Sequence, residues 1–200
     1  MNDSNVKITY EQIASHFSET RHHVWTPVKK FIDSFKVNSL VADIGCGNGK
    51  NMYRKDCEFI GLDFCYNFNK ICYDKGLSSI VADNMNLPLR DNLFDYTISV
   101  AVIHHLDSKL KRLKAINELM RITKPKGKVF ISVWALKQPD KFKRQFIQRD
   151  NMVEWNKYGK KFYRFYHVFE DLELYNLCNN YLIEDYIYSA GNWSITLIKN

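Results

Sequence analysis

The chain has 200 residues, 46% hydrophobic and 26% charged, with a formal net charge of +7. This is ordinary for one soluble globular domain spanning residues 1–200, and no apolar run approaches the ~18 residues that cross a bilayer. Five cysteines (Cys46, Cys57, Cys65, Cys72, Cys178) contain no C-x-x-C pair, so neither a disulfide framework nor a metal site is suggested. With no basic start followed by an apolar block, the expected location is cytoplasmic.

Residues 1–38 read as an N-terminal helical cap. Short apolar runs then alternate with amphipathic stretches. The strand candidates are "SLVADIG", "EFIGLDF", "SSIVAD", "FDYTISVAVI" and "GKVFISVWA", runs of the kind found in a sheet covered on both faces. Helices are predicted after Gly49, over "CYNFNKICYDKG" and over "DSKLKRLKAINELMRI". In the last of these, Leu110, Leu113, Ile116, Leu119 and Met120 share a face, Asp107 or Ser108 caps the start and "KPKG" ends it. Strand alternating with helix implies parallel strands. A further helix, "FEDLELYNLCNNYL", precedes "IEDYIYSA" and "WSITLIKN", two strands across a Gly-Asn break that should pair antiparallel. The expected fold is α/β, a mostly parallel sheet ending in an antiparallel hairpin.

The loop "VADIGCGNGK" carries Gly45, Gly47 and Gly49 in G-x-G-x-G spacing, which removes side chains where a ligand would lie against peptide groups. It differs from the G-x-G-x-x-G of dinucleotide sites. Asp43 precedes the glycines, Asp63 ends the second strand sixteen residues after Gly47, and Asp83 ends the third. Each alone could be a turn or cap residue. Three acids at the carboxyl ends of three strands match instead an ammonium group, a ribose and an adenine amine without phosphate, the parts of S-adenosylmethionine.

Charge is concentrated in residues 137–165, with nine Lys or Arg against three acids and seven aromatic side chains between them. Such a segment suits a phosphate backbone with unstacked bases on the substrate side; the plainer alternative is a solvated amphipathic cap whose aromatics face the core.

Over nearly its whole length the sequence resembles a family. "VADIGCGNGK", "FIGLDF", "VADNMNLPLR", "FDYTISVAVIHHL", "AINELMRITKPKG" and "ISVWALKQ" are similar to the class I, Rossmann-like methyltransferases that esterify 5-carboxymethyluridine at the tRNA wobble position. The group includes the fungal enzymes and the methyltransferase domains of AlkB homologues. "IASHFSETRHHVW", "YRFYHVF" and "GNW" narrow the match. Where members often show "VPW", Met152-Val153-Glu154-Trp155 carries an acid in place of proline. The resemblance implies a seven-stranded sheet in the order 3-2-1-4-5-7-6, S-adenosylmethionine as donor, a tRNA anticodon-loop substrate and a small zinc-binding activator protein on the edge strand Ser78 to Asp83. The donor set it implies is Asp43, Gly45, Cys46, Gly47, Asp63, Phe64, Ala82, Asp83, Asn84 and Ala101.

An ionised carboxylate acceptor needs no general base but does need a cation to orient it, and Arg21 is the candidate, with a surface charge as the alternative. Trp25 and Tyr166 could stack on the uracil, although Trp25 could equally be core. His104 is favoured over His105 for the site because it lies just beyond the fourth strand. His167 and Asn192 follow from the family motifs, and Lys143, Arg144, Lys160, Lys161 and Arg164 are the expected contacts to RNA. Competing readings are a small-molecule methyltransferase with the basic segment as a lid, and a non-catalytic adaptor.

Overall fold

A computed structural model describes the backbone of residues 3–200 and side chains from residue 5 onward, so Met1 and Asn2 of the expected cap lie outside the described residues. Helix α1 (Asp3–Glu19) repeats Val6, Tyr10, Ile13 and Phe17 at four- and three-residue steps, and these positions turn toward helix α3 (Tyr66–Asp74). The start of α3 has no local side-chain cap; the Glu11 carboxylate of α1 accepts from its first two N–H groups, at 2.6 Å from Tyr66 and 3.0 Å from Asn67. Helix α2 (Thr26–Asp33) buries Val28, Phe31 and Ile32 against the other face of the sheet.

The sheet comprises β1 (Leu40–Ile44), β2 (Glu58–Asp63), β3 (Ser79–Val81), β4 (Phe94–Val100), β5 (Thr123–Trp134), β8 (Leu182–Ser189) and β9 (Asn192–Ile198). Its order is β3-β2-β1-β4-β5-β9-β8, with β1 to β5 parallel and the final hairpin antiparallel, as the sequence leads one to expect. Ala190 and Gly191 take positive φ at the two-residue turn between β8 and β9, which matches the twist of a tight hairpin. Helix α4 (Lys109–Ile122) is capped by Ser108, whose Oγ accepts from the Lys111 N–H. Ile116, Leu119 and Met120 are buried, but Leu110 stands in its first turn, 79% exposed, off the expected apolar face.

Other local expectations fail for identifiable reasons. No helix follows Gly49: three glycines at positive φ leave only turns between β1 and β2. The fourth strand stops at Val100 because Ala101 has φ of 61°, and residues 103–105 form one 3-10 turn. The helix foreseen over 169–182 shrinks to α5 (Glu173–Leu177), since Leu172 at φ 60° blocks continuation toward its N-terminus. Residues 137–165 do not behave as one unit. An irregular stretch leads into β6 (Asp150–Lys157) and β7 (Lys160–His167), a separate two-stranded ribbon. Trp155, Phe162 and Phe165 of this ribbon pack against α1, so part of the aromatic set faces the core. No described helix is long and apolar enough to cross a membrane.

Candidate functional site

The carboxyl ends of β1, β2, β3 and β4 open into a cavity of about 530 Å³, roofed by α1 and closed at one end by Trp25, Trp134 and Tyr166. Its floor begins at the glycine loop. Gly45 has φ of 77°, and a Cβ there would sit 2.2 Å from Val102 Cγ2; Gly47 has φ of 54°, and a Cβ there would meet nothing within 4 Å. The first glycine is therefore demanded by packing and the second leaves open space beside the peptide. Asp63, at the end of β2, receives the Gly47 N–H on Oδ2 and the Cys65 N–H on Oδ1, each at 2.9 Å. Burial pushes its carboxyl up to about 6, and each oxygen keeps a further lone pair for a ligand hydroxyl. Cys46, Phe64, Ala82, Asp83, Asn84 and Ala101 also line this cavity.

Asp43 does not line it. The side chain is wholly buried beneath the loop, with Oδ1 unpartnered and Oδ2 receiving only Asn51 Nδ2 at 3.5 Å, and burial pushes its carboxyl up to about 7. The expectation that Asp43 meets an ammonium directly is thus corrected: strand β1 turns its side chain inward before the glycines expose the backbone.

Arg21 reaches the cavity because Asn48 of the glycine loop holds the segment after α1, donating from Nδ2 to the Arg21 carbonyl at 3.0 Å and to Ser18 Oγ at 3.2 Å. Its guanidinium lies 5.1 Å from the Phe17 ring centroid and 5.3 Å from that of Trp155. Burial, with Arg164 nearby, presses its pKa below the ordinary value. Trp25 lines the cavity beside Lys50, whose Nζ is 5.2 Å from the indole.

The histidine choice reverses. His104 is fully buried off the cavity, with Nδ1 accepting from the Trp134 N–H and Nε2 unpartnered; the 3-10 turn points it inward. His105 lines the cavity instead. Its Nδ1 is 2.8 Å from the Phe165 carbonyl and so carries the proton, leaving Nε2 to accept from Tyr10 Oη at 2.9 Å. Burial lowers its pKa to about 3, so it is neutral.

Tyr166 closes the cavity with its ring 4.6 Å from those of His104 and Trp134, a packed wall more than a free stacking face. Arg164, expected among the surface contacts to RNA, is 2% exposed: alternation along β7 turns it inward, where its Nη1 donates to Tyr166 Oη at 2.8 Å and Tyr10 Oη at 3.1 Å. His167 is corrected too. It is clamped between Asp150 Oδ1 at 2.6 Å and Glu173 Oε1 at 2.7 Å and touches neither large cavity. Lys160 and Lys161 lie at the exposed turn of the β6–β7 ribbon, away from both cavities, with Lys161 paired to Glu154 at 3.0 Å. Lys143, Arg144 and Asn192 line a second cavity, which shares Trp25 and Trp134 with the first.

The donor fits these residues. A bare peptide at Gly47, an acid with spare lone pairs at the end of β2 and apolar walls at Phe64 and Ala82 suit an adenosine with an amino-acid tail. A pyrophosphate is disfavoured, because no helix N-terminus follows the loop. Tyr10, Phe17, Lys50 and Trp134 also line the cavity and were not anticipated; the 3.6-residue apolar repeat of α1 was the readable signal for the first two.

Residues 42–131 match the family model "Methyltransferase domain", whose donor is S-adenosylmethionine. A tRNA (carboxymethyluridine(34)-5-O)-methyltransferase of Arabidopsis thaliana is 48% identical over 132 residues, 66% of this chain and 33% of that one. The Schizosaccharomyces pombe protein of the same name is 33% identical over 219 aligned positions, covering 96% and 94% of the two chains. The chain thus spans a third of the plant relative and nearly all of the yeast one. Among solved structures, the complex between the Haloferax volcanii Trm112 methyltransferase activator and a putative methyltransferase superposes with a TM-score of 0.53 at 23% identity. That alignment covers 62% of this chain and 59% of the other. By fold, donor cavity and these similarities, the chain belongs to the tRNA (carboxymethyluridine(34)-5-O)-methyltransferase family.

Proposed function

We propose that the chain transfers a methyl group from S-adenosylmethionine to the carboxylate of 5-carboxymethyluridine at the wobble position of a tRNA anticodon, forming the methyl ester. The observation that carries this reading is a pair of guanidiniums, Arg21 and Arg164, lining the cavity with no ion-paired carboxylate among the described residues. Arg164, 2% exposed, is already held by the Tyr10 and Tyr166 hydroxyls and by the rings around it, which leaves Arg21 as the guanidinium placed to meet an anion brought by the ligand. Bound at the glycine loop, the donor supplies an electrophilic methyl group on a sulfonium. Asp63 would hold the ribose hydroxyls, Asp83 and Asn84 the adenine edge, and Asp43 would act only from beneath the loop. Arg21 orients the acceptor carboxylate and Trp25 offers the uracil a flat face. A carboxylate is ionised at pH 7, so no base is required. This agrees with a neutral His105 whose free lone pair already holds Tyr10.

We read residues 1–200 as one cytoplasmic methyltransferase domain, with residues 1–38 as the cap and 137–165 on the substrate side. Its partner is a small zinc-binding activator protein at β3. Two features support this: Ile80 and Val81 stand 40% and 47% exposed on an edge strand paired on one side only, and a solved structure of similar fold is a complex with the Trm112 methyltransferase activator.

Nucleoside analysis of carboxymethylated tRNA incubated with donor, chain and partner tests the reaction, the methyl ester being the expected product. In the same assay Arg21→Ala should lose on the order of tenfold or more in kcat/KM for RNA, the scale of a charged hydrogen bond. Donor affinity should stay nearly constant. A parental rate removes Arg21 from its role, and a collapse of donor affinity reassigns it to the donor's own carboxylate.

A further inference from the structure

The second cavity, an open cleft of about 700 Å³, contains none of the glycine-loop or strand-end acids of the first and is of the size that takes a small-molecule ligand. Trp25 and Trp134 line both, so the two cavities adjoin at these indoles. Their linings differ in charge. No acid lines the second chamber, whereas Lys141 and Lys143 do, and neither has an ion pair among the described residues. Helix α2 also begins in its wall, its first turn uncapped by any side chain. Phe142, 37% exposed, faces the same space as the two indoles and adds a third flat ring.

One polar side chain of the lining supplies direction. Asn192 spends its amide N–H groups on the Ser189 carbonyl at 3.4 Å and the Ala190 carbonyl at 3.0 Å, while its Oδ1 is shielded from solvent and has no partner. An unpaired buried acceptor in a cationic, ring-lined chamber calls for a ligand that carries an N–H donor, a planar ring and a negative charge together. A nucleotide has all three.

We propose that this chamber seats the nucleotide adjoining the target uridine. Lys141 and Lys143 take its phosphate, Phe142 and Trp25 sandwich its base, and Asn192 Oδ1 accepts from an N–H on the base edge. This rests on the RNA reading of the neighbouring cavity and extends it: the enzyme recognises a dinucleotide step, with the shared Trp25 and Trp134 splaying the two bases into separate chambers.

The test uses the full chain and fluorescein-labelled anticodon stem-loops containing 5-carboxymethyluridine. One RNA is intact, one is abasic on the 5′ side of the target and one is abasic on the 3′ side. Anisotropy should show one abasic RNA binding on the order of tenfold more weakly than the intact loop, the loss expected for one stacked base. Phe142→Ala should lose a similar factor on the intact loop and little more on that abasic RNA, because both changes remove the same contact. Asn192→Leu should narrow the difference between intact and abasic loops. Affinities within twofold for all three RNAs overturn the proposal, and so does a Phe142→Ala loss that is equal on intact and abasic loops. Methyl transfer in the same samples, supplied with S-adenosylmethionine and the activator, separates the two readings. Base-dependent binding without ester formation upholds the nucleotide seat and removes the reaction, whereas ester formation indifferent to both abasic positions does the reverse.

Discussion

Asp43→Asn offers a direct test of where the first acid of the glycine loop lies. In the folded chain its carboxyl is wholly buried, Asn51 Nδ2 is its one partner at 3.5 Å, and burial lifts it from 3.8 to about 7. Between those two values the unfolded chain has released this proton while the folded chain retains it, so stability falls as pH rises from about 4 to about 7 and is flat above. The full interval corresponds to roughly 4 kcal/mol at about pH 8, an upper figure because the site can relax. Asparagine carries no such cost, and Asn51 Oδ1, itself unpartnered, can receive the new amide. Urea unfolding of the donor-free proteins, followed by tryptophan fluorescence, should show nearly equal stabilities at about pH 4 and the variant more stable by about 2–4 kcal/mol at about pH 8. A difference that does not change with pH, or a variant weaker at the higher pH, would show that the carboxylate is solvated and refute the buried placement.

The two glycines should separate packing from binding. Gly45→Ala meets Val102 at 2.2 Å with φ of 77° and should cost roughly 3 kcal/mol in a urea melt. Gly47→Ala meets no protein atom within 4 Å and should cost about 1 kcal/mol while weakening donor binding in titration calorimetry. Donor affinity should fall about tenfold per pH unit as Asp63 protonates below about 6, and it should show no added histidine limb, since His105 sits near 3. On the edge strand, Ile80→Lys should leave the melting curve of the isolated chain nearly unchanged but abolish co-purification with the activator; retained pairing would move the partner elsewhere.

The sheet was legible because its strands are short apolar runs broken by glycine and acid; the two-residue gap between the last two strands implied their antiparallel pairing, while the strand order came with the family resemblance. What escaped were features set by contacts distant in sequence. Whether His104 or His105 faces the cavity depends on one 3-10 turn after Ala101, and two adjacent identical residues carry no signal for it. Arg164 reads as one more cation in a basic stretch until alternation along β7 is fixed by pairing with β6, which puts it inside and leaves Lys161 outside. The role of α1 was half readable: its 3.6-residue repeat announces a buried face, but not that Tyr10 and Phe17 would roof a ligand cavity.

That roof has a bearing on how the protein is made. Helix α1 is tied to the ribbon by Thr9 donating to the Tyr163 carbonyl, Lys157 to the Gln12 carbonyl and the Trp155 indole to His16, pairs separated by 139 to 154 residues. During synthesis α1 must therefore wait until the ribbon, 139 to 154 residues further along, has left the ribosome before it can settle fully. Contacts so far apart along the chain form slowly. Until then the glycine loop and the oily side of the helix are uncovered together, so nascent chains are most exposed to aggregation, and stand to gain most from an early ligand or chaperone, in that interval.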